Sequence, residues 1–123
     1  GVGALAQSVL SFTRCTQTWR DLLMSKPIHM QILDRARALI EDERRWCPGH
    51  RARDAHGYPV SPTDHEAEQR CALGALLAAA HELSSDEMEA HRLAETALRP
   101  LVGATQLTHI NDIEGHSAVI ALF

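Results

Sequence analysis

The sequence predicts a mainly α protein, a compact bundle of about four helices with a short irregular loop or marginal β-hairpin near residues 50–62. Three observations carry this. Hydrophobic residues make up 45% of the chain but aromatics only 4%, so the core is built from Leu, Ala, Ile and Val. That palette suits close-packed helices better than strands, which favour β-branched and aromatic side chains. Apolar residues also recur at helical spacing in separate stretches, and Ser/Thr-x-x-Glu boxes stand ahead of two of them. A chain of 123 residues is long enough for one core and reads as a single domain over 28–123. Residues 1–27 read as an N-terminal arm, loosely packed or not native to the protein, with Met24 a candidate translation start.

The first helix is expected from about Met30 to Arg45 behind Pro27, with Ile32, Leu33, Ala36, Leu39 and Ile40 as its apolar stripe. Glu41 precedes Arg45 by four residues, the favourable order for a helical ion pair. Cys47-Pro48-Gly49 stops that helix, because proline cannot continue the hydrogen bonding and glycine accepts a left-handed turn. Residues 50–62 form the loop or hairpin, with a turn at Asp54–Gly57. Thr63-Asp64-His65-Glu66 is then expected to cap a helix running over 64–83. From Cys71 to Ala80 that helix has no polar residue, so it is placed at the centre of the bundle. Ser84-Ser85-Asp86-Glu87 caps the next helix, to about Arg99, with Glu95 and Arg99 as an ion pair. Pro100 and Gly103 break the chain before a short turn of helix at Gln106–Ile110, and Ser117–Phe123 begins a last helix.

Charge is unevenly distributed. Residues 1–62 hold nine Arg/Lys against six Asp/Glu, a balance of +3, whereas 63–123 hold three against ten, a balance of -7. Neither half carries the dense basic stripe of a dedicated nucleic-acid binder, so nucleic acid is disfavoured as a partner. The N-terminal segment has neither the basic flank of a signal peptide nor the length of a membrane span. Cys15, Cys47 and Cys71 form an odd set without repeated spacing, which points to a reducing cytoplasm rather than a disulfide scaffold.

Three constellations compete as functional sites. The first is a Cys/His/Asp arrangement in which Cys71 is a nucleophile, His116 (or His109) its base, and Asp112 (or Asn111) the orienting group of a hydrolase or transferase. Against it, Cys71 is expected about two turns into an apolar helix, where a thiol acts as a small core residue. Asn111-Asp112 also reads as a helix-ending turn, with Asn in the left-handed conformation and Gly115 reversing the chain. The second is zinc held by Cys47, His50, His56 and Cys71, with His65 nearby; the spacing repeats no ligand pair, so no metal or cofactor is assigned. The third is the basic cluster Arg44, Arg45, Arg51 and Arg53, a candidate site for an anionic partner or a solvated loop. Trp46 is expected to anchor the core or loop.

Four motifs stand in order along the chain: W-C-x-G (Trp46, Cys47, Gly49), A-R-D-x-x-G (Ala52 to Gly57), C-A-L-G-A-L (Cys71 to Leu76) and N-D-x-x-G-H (Asn111 to His116). Together they resemble a family of small bacterial proteins of unknown function over about residues 28–123, and more loosely small domains of phage and mobile-element genomes. The resemblance implies a shared fold, no assigned catalytic residues, and at most a regulatory or host-interaction role. In that pattern the position of His50 is usually a small residue, a departure that tells further against zinc. With ample apolar material and poor chemical constellations, the expectation leans away from an enzyme. It favours a cytoplasmic binding or regulatory domain acting through an unidentified protein partner or as a homo-oligomer.

Overall fold

The computed structural model describes residues 26–123; the arm expected over 1–27 lies outside them except for Lys26 and Pro27, as does Cys15. Among the described residues there are five α-helices: α1 (Ile28–Ile40), α2 (Ala72–Leu83), α3 (Glu87–Leu98), α4 (Ala104–His109) and α5 (His116–Leu122). Two short antiparallel strands, β1 (Ala52–Arg53) and β2 (Gln69–Arg70), pair Ala52 with Arg70 and Arg53 with Gln69. The mainly α reading stands, with five helices rather than about four.

The apolar composition of α2 sets the architecture. A helix with no polar residue from Ala72 to Ala80 must be covered on every side, and α1, α3 and α4 all pack against it. Ile32, Ala36 and Ile40 of α1, Ala90, Ala94, Ala97 and Leu98 of α3, Leu107 of α4 and Val119 of α5 close the core around Leu76. The small side chains let the helices approach closely, which makes up in packed area for the scarcity of aromatics.

Boundaries moved where tertiary contacts outbid local propensity. Helix α1 ends at Ile40, not Arg45; Asp42 caps a separate 3₁₀ turn, Glu43–Arg45, by accepting from the Arg44 amide at 2.9 Å. Glu41 consequently meets Arg37 (4.0 Å) instead of Arg45, whereas Arg99 and Glu95 pair as expected at 3.9 Å. The capping box at Thr63–Glu66 does not start a helix. Asp64 Oδ1 accepts from the Glu66 amide at 2.9 Å and closes a turn, after which the chain runs extended through β2. The physical reason is pairing: the Glu68 amide donates to Arg53 O, and the Cys71 amide to Arg51 O, which holds 68–71 out of helical geometry.

Helix α2 therefore starts eight residues later than the expected position 64, and Cys71 is its N-cap rather than a residue two turns inside it. The cap of α3 is Asp86, which receives the Met88 amide at 3.1 Å. Residues 50–62 do carry a reversal: Asp54 Oδ1 accepts from the His56 and Tyr58 amides, and Val60 N donates back to Ala52 O. The main partner of β1, however, is β2 from outside that loop. Gly49 sits at φ +83°, the left-handed turn expected after Pro48.

Candidate functional site

All of the N-D, C-A-L-G and W-C-x-G residues converge on one place. Between α4 and α5 the chain widens into a single π turn, Ile110–Glu114, closed by the Gly115 amide on Ile110 O at 3.0 Å. The extra residue in that turn carries Asn111 inward, where it is 1% exposed. Its Oδ1 accepts from Trp46 Nε1 (2.7 Å) and from the Ala72 amide (2.9 Å) at the start of α2. Its Nδ2 donates to Cys47 O (3.3 Å) and to Asp112 Oδ1 (2.9 Å). Both amide donors and both acceptor positions are thus used, as the cost of leaving a buried amide unpaired requires. Asn111 is not in the expected left-handed conformation; only glycines have positive φ among the described residues. The turn is made by the π geometry and by Gly115 at φ +97°.

Asp112 completes the junction by accepting from the Gly49 amide at 3.0 Å. That bond and the Asn111 amide hold its carboxyl below the ordinary carboxylate range. Gly74, in the first turn of α2, lies directly against the backbone of Arg51: a Cβ there would fall 2.0 Å from Arg51 O. The C-A-L-G motif therefore reads residue by residue. Cys71 caps, Ala72 donates to Asn111, Leu73 half-covers the surface, and Gly74 makes room for the β1 chain.

A cavity of ≈160 Å³ lies beside this junction, lined in part by His50, Arg51, Cys71, Leu73, Thr108 and Asp112. Cys71 and Asp112 are thus brought together as the Cys/His/Asp arrangement supposed. His116 is not part of that lining. Its Nε2 lies 2.7 Å from Ile40 O, its ring tilts against Trp46 at 5.6 Å, and it borders a different hollow with Arg37 and Glu41. The histidine beside Cys71 is His50. Burial pushes the Cys71 thiol up, against the opposing pull of the Gly74 and Leu73 amides. Cys47 is pushed up as well, by burial first and then by Cys71. Both thiols are free.

Among the described residues no three His, Cys, Asp or Glu side chains gather to hold a metal ion, so Cys47, His50, His56 and Cys71 do not form a common ligand set. The members of the basic cluster have different partners. Arg44 pairs with Asp42 at 2.8 Å, Arg53 Nη1 donates to Gly57 O at 3.2 Å, and Arg45 is exposed beside the 3₁₀ turn. Arg51 lies at the meeting point of three hollows. Besides the cavity at Cys71, it borders one with Pro62, His81 and His91, and a groove of ≈330 Å³ lined with Leu73, Leu77, Met88, Arg92 and Leu98. Sequence reasoning expects Met88 to join Leu93, Ala94, Ala97 and Leu98 as a residue available for burial, whereas it is 82% exposed; Arg92 was not singled out. Their signal was the outward stripe Met88, His91, Arg92, Glu95, Arg99 at helical spacing along α3.

Among the described residues no helix is long and apolar enough to cross a membrane. No curated protein and no solved structure matches the chain. Residues 24–123 match the profile of a family of unknown function, DUF6197, and cover every residue of the junction built from Trp46, Cys47, Gly49, Cys71, Gly74, Asn111 and Asp112; the chain belongs to that family.

Proposed function

We propose that this chain is a non-enzymatic binding or regulatory domain that acts by self-association through the outer face of α3. The observation that carries the reading is Met88, 82% exposed at the edge of a groove that combines Leu73, Leu77 and Leu98 with Arg51, Arg92 and Glu95. A thioether projecting into water beside a groove of side-chain size is the arrangement of an interface anchor. Charge supports a second copy as the occupant. Along the outward stripe Arg92 and Glu95 lie three residues apart, and no carboxylate among the described residues pairs with Arg92. In an antiparallel, two-fold pairing of α3 with α3, each Arg92 faces Glu95 of the second copy, and the contact occurs twice. Each Met88 is then carried toward the other copy's groove.

The chemistry around Cys71 supports a binding role over catalysis. Burial disfavours its thiolate, Asn111 has no free valence, and the carboxylate of Asp112 is engaged by backbone and amide donors. A reducing cytoplasm is the setting that the free thiols of Cys47 and Cys71 support.

Sedimentation velocity of the full chain across a concentration series tests the proposal. A reversible dimer is expected, weakened about tenfold or more by Arg92→Glu or by Glu95→Arg, since each removes two symmetric ion pairs and sets like charges together. The double charge swap restores the contact and recovers most of the affinity. A monomer at all concentrations, or a double swap no better than either single change, overturns the reading.

A further inference from the structure

We propose that Cys47 and Cys71 are a dithiol pair that a small peroxide converts to an intramolecular disulfide, which makes this junction a redox modification site. The two residues are register neighbours. Trp46 forms a parallel bridge with Arg70, and the Cys47 amide donates to Arg70 O at 3.1 Å, so Cys47 and Cys71 follow one another on adjacent chains. In parallel pairing, residues next after a bridged pair project to the same side, which places two cysteines within the Cα separation that a disulfide spans. The environments agree with this placement. Cys47 Sγ lies 3.5 Å from His50 O, and His50 lines the cavity that Cys71 also lines. Each thiol is also within electrostatic reach of Asp112.

The two sulfurs have different access. Cys47 is 2% exposed and is not among the cavity residues, whereas Cys71 borders the ≈160 Å³ cavity, a space that suits a peroxide. Cys71 Sγ also receives the Gly74 amide at 3.3 Å, a donor that holds its sulfur in place as negative charge develops there. The sequence of steps follows. After losing its proton to water, Cys71 Sγ attacks one oxygen of hydrogen peroxide. The O–O bond breaks, and the departing hydroxide takes up a proton to leave as water, with Cys71 now a sulfenic acid. Cys47 Sγ then attacks the Cys71 sulfur. The S–O bond breaks, and its hydroxide leaves as a second water with the proton that Cys47 gave up. Two thiols have lost two electrons and two protons, and one peroxide has become two waters. The product ties the turn after Trp46 to the start of α2, at the junction that Asn111 holds by hydrogen bonds.

The test uses the full chain carrying Cys15→Ser, so that only the two thiols of interest remain. Native protein is treated with hydrogen peroxide, quenched with N-ethylmaleimide and measured by intact mass and non-reducing peptide mapping. The expected result is a monomer lighter by two hydrogens, unlabelled, with a Cys47–Cys71 linked peptide that dithiothreitol opens. Both thiols labelled after treatment, Cys71 carrying added oxygen without a link, or links only between chains would each overturn the proposal. In a second variant, Cys47→Ala, the reaction is expected to stop at the sulfenic acid, which dimedone captures on Cys71. Should Cys71 take no dimedone there while the untreated thiol still labels after denaturation, the assignment of Cys71 as the attacking sulfur fails.

Discussion

Gly74→Ala puts the close approach of α2 to the backbone of Arg51 to the test. The added Cβ would fall 2.0 Å from Arg51 O and 2.9 Å from Arg51 C, both backbone atoms, so no side-chain rotamer can relieve it. Either α2 or the β1 segment must retreat by about an ångström, a displacement that opens the bond from the Cys71 amide to Arg51 O, 3.0 Å in the native fold. Overpacking a close contact costs about 1–3 kcal/mol. A weakened buried hydrogen bond adds about 1 kcal/mol. Alanine's better helix propensity returns less than its interior value of about 1 kcal/mol, because Gly74 lies in the first turn. The net expectation is a loss of about 2–4 kcal/mol, a large fraction of the stability of a domain this size. Urea unfolding followed by circular dichroism measures it, and the melting temperature should fall by about 10 °C or more. Gly103→Ala is the matched control: no atom lies within 4 Å of the Cβ it would add, so its change should stay within about 1 kcal/mol. A Gly74→Ala protein as stable as wild type would refute the argument that C-A-L-G needs its glycine for backbone approach.

Asn111→Ala leaves Trp46 Nε1, the Ala72 amide and Cys47 O without their partner; the expected loss is about 3–5 kcal/mol by chemical denaturation, and Trp46 fluorescence should report its exposure. Asp112 has a lowered folded pKa, so its stabilising contribution is full above the unfolded carboxyl value of about 4 and is lost as pH falls through the folded one. Melting temperatures between pH 5 and 2 should therefore fall more steeply in wild type than in Asp112→Asn; parallel curves would show that the carboxylate is not engaged. Cys71 in the native protein should react with iodoacetamide more slowly than a free thiol at neutral pH. That rate should climb above pH 9 as the thiol, flanked by Arg51, His50 and Asp112 and close to Cys47, loses its proton. His116→Ala should leave the rate unchanged, since His116 borders another hollow; fast neutral labelling abolished by that change would revive the Cys/His reading.

The residues from which a function was first sought have turned out to hold the fold together. Cys71 and Asn111-Asp112 attracted attention as nucleophile and acid, and the structure brings Cys71 and Asp112 to one cavity. What they do there is cap α2, bridge three chain segments and clamp the Gly49 turn. A π turn cannot be read from periodicity, because inserting one residue shifts every later side chain around the helix axis. Asn111 was therefore read as a helix-ending turn residue, whereas it is the buried hub.

The sequence by itself determined the helical class, the central place of the Ala72–Ala80 run, the left-handed turn at Gly49 and the break at Pro100–Gly103. These follow from local terms: a wholly apolar helix must be covered, and proline and glycine interrupt hydrogen bonding wherever they stand. Tertiary structure alone decided where α2 begins. The box at Thr63–Glu66 offered a helix start, but 68–71 pair instead with the Arg51–Arg53 segment, which places Gly74 against Arg51. The same pairing brought Cys47 beside Cys71 across 24 positions of chain, a proximity that no local signal could announce.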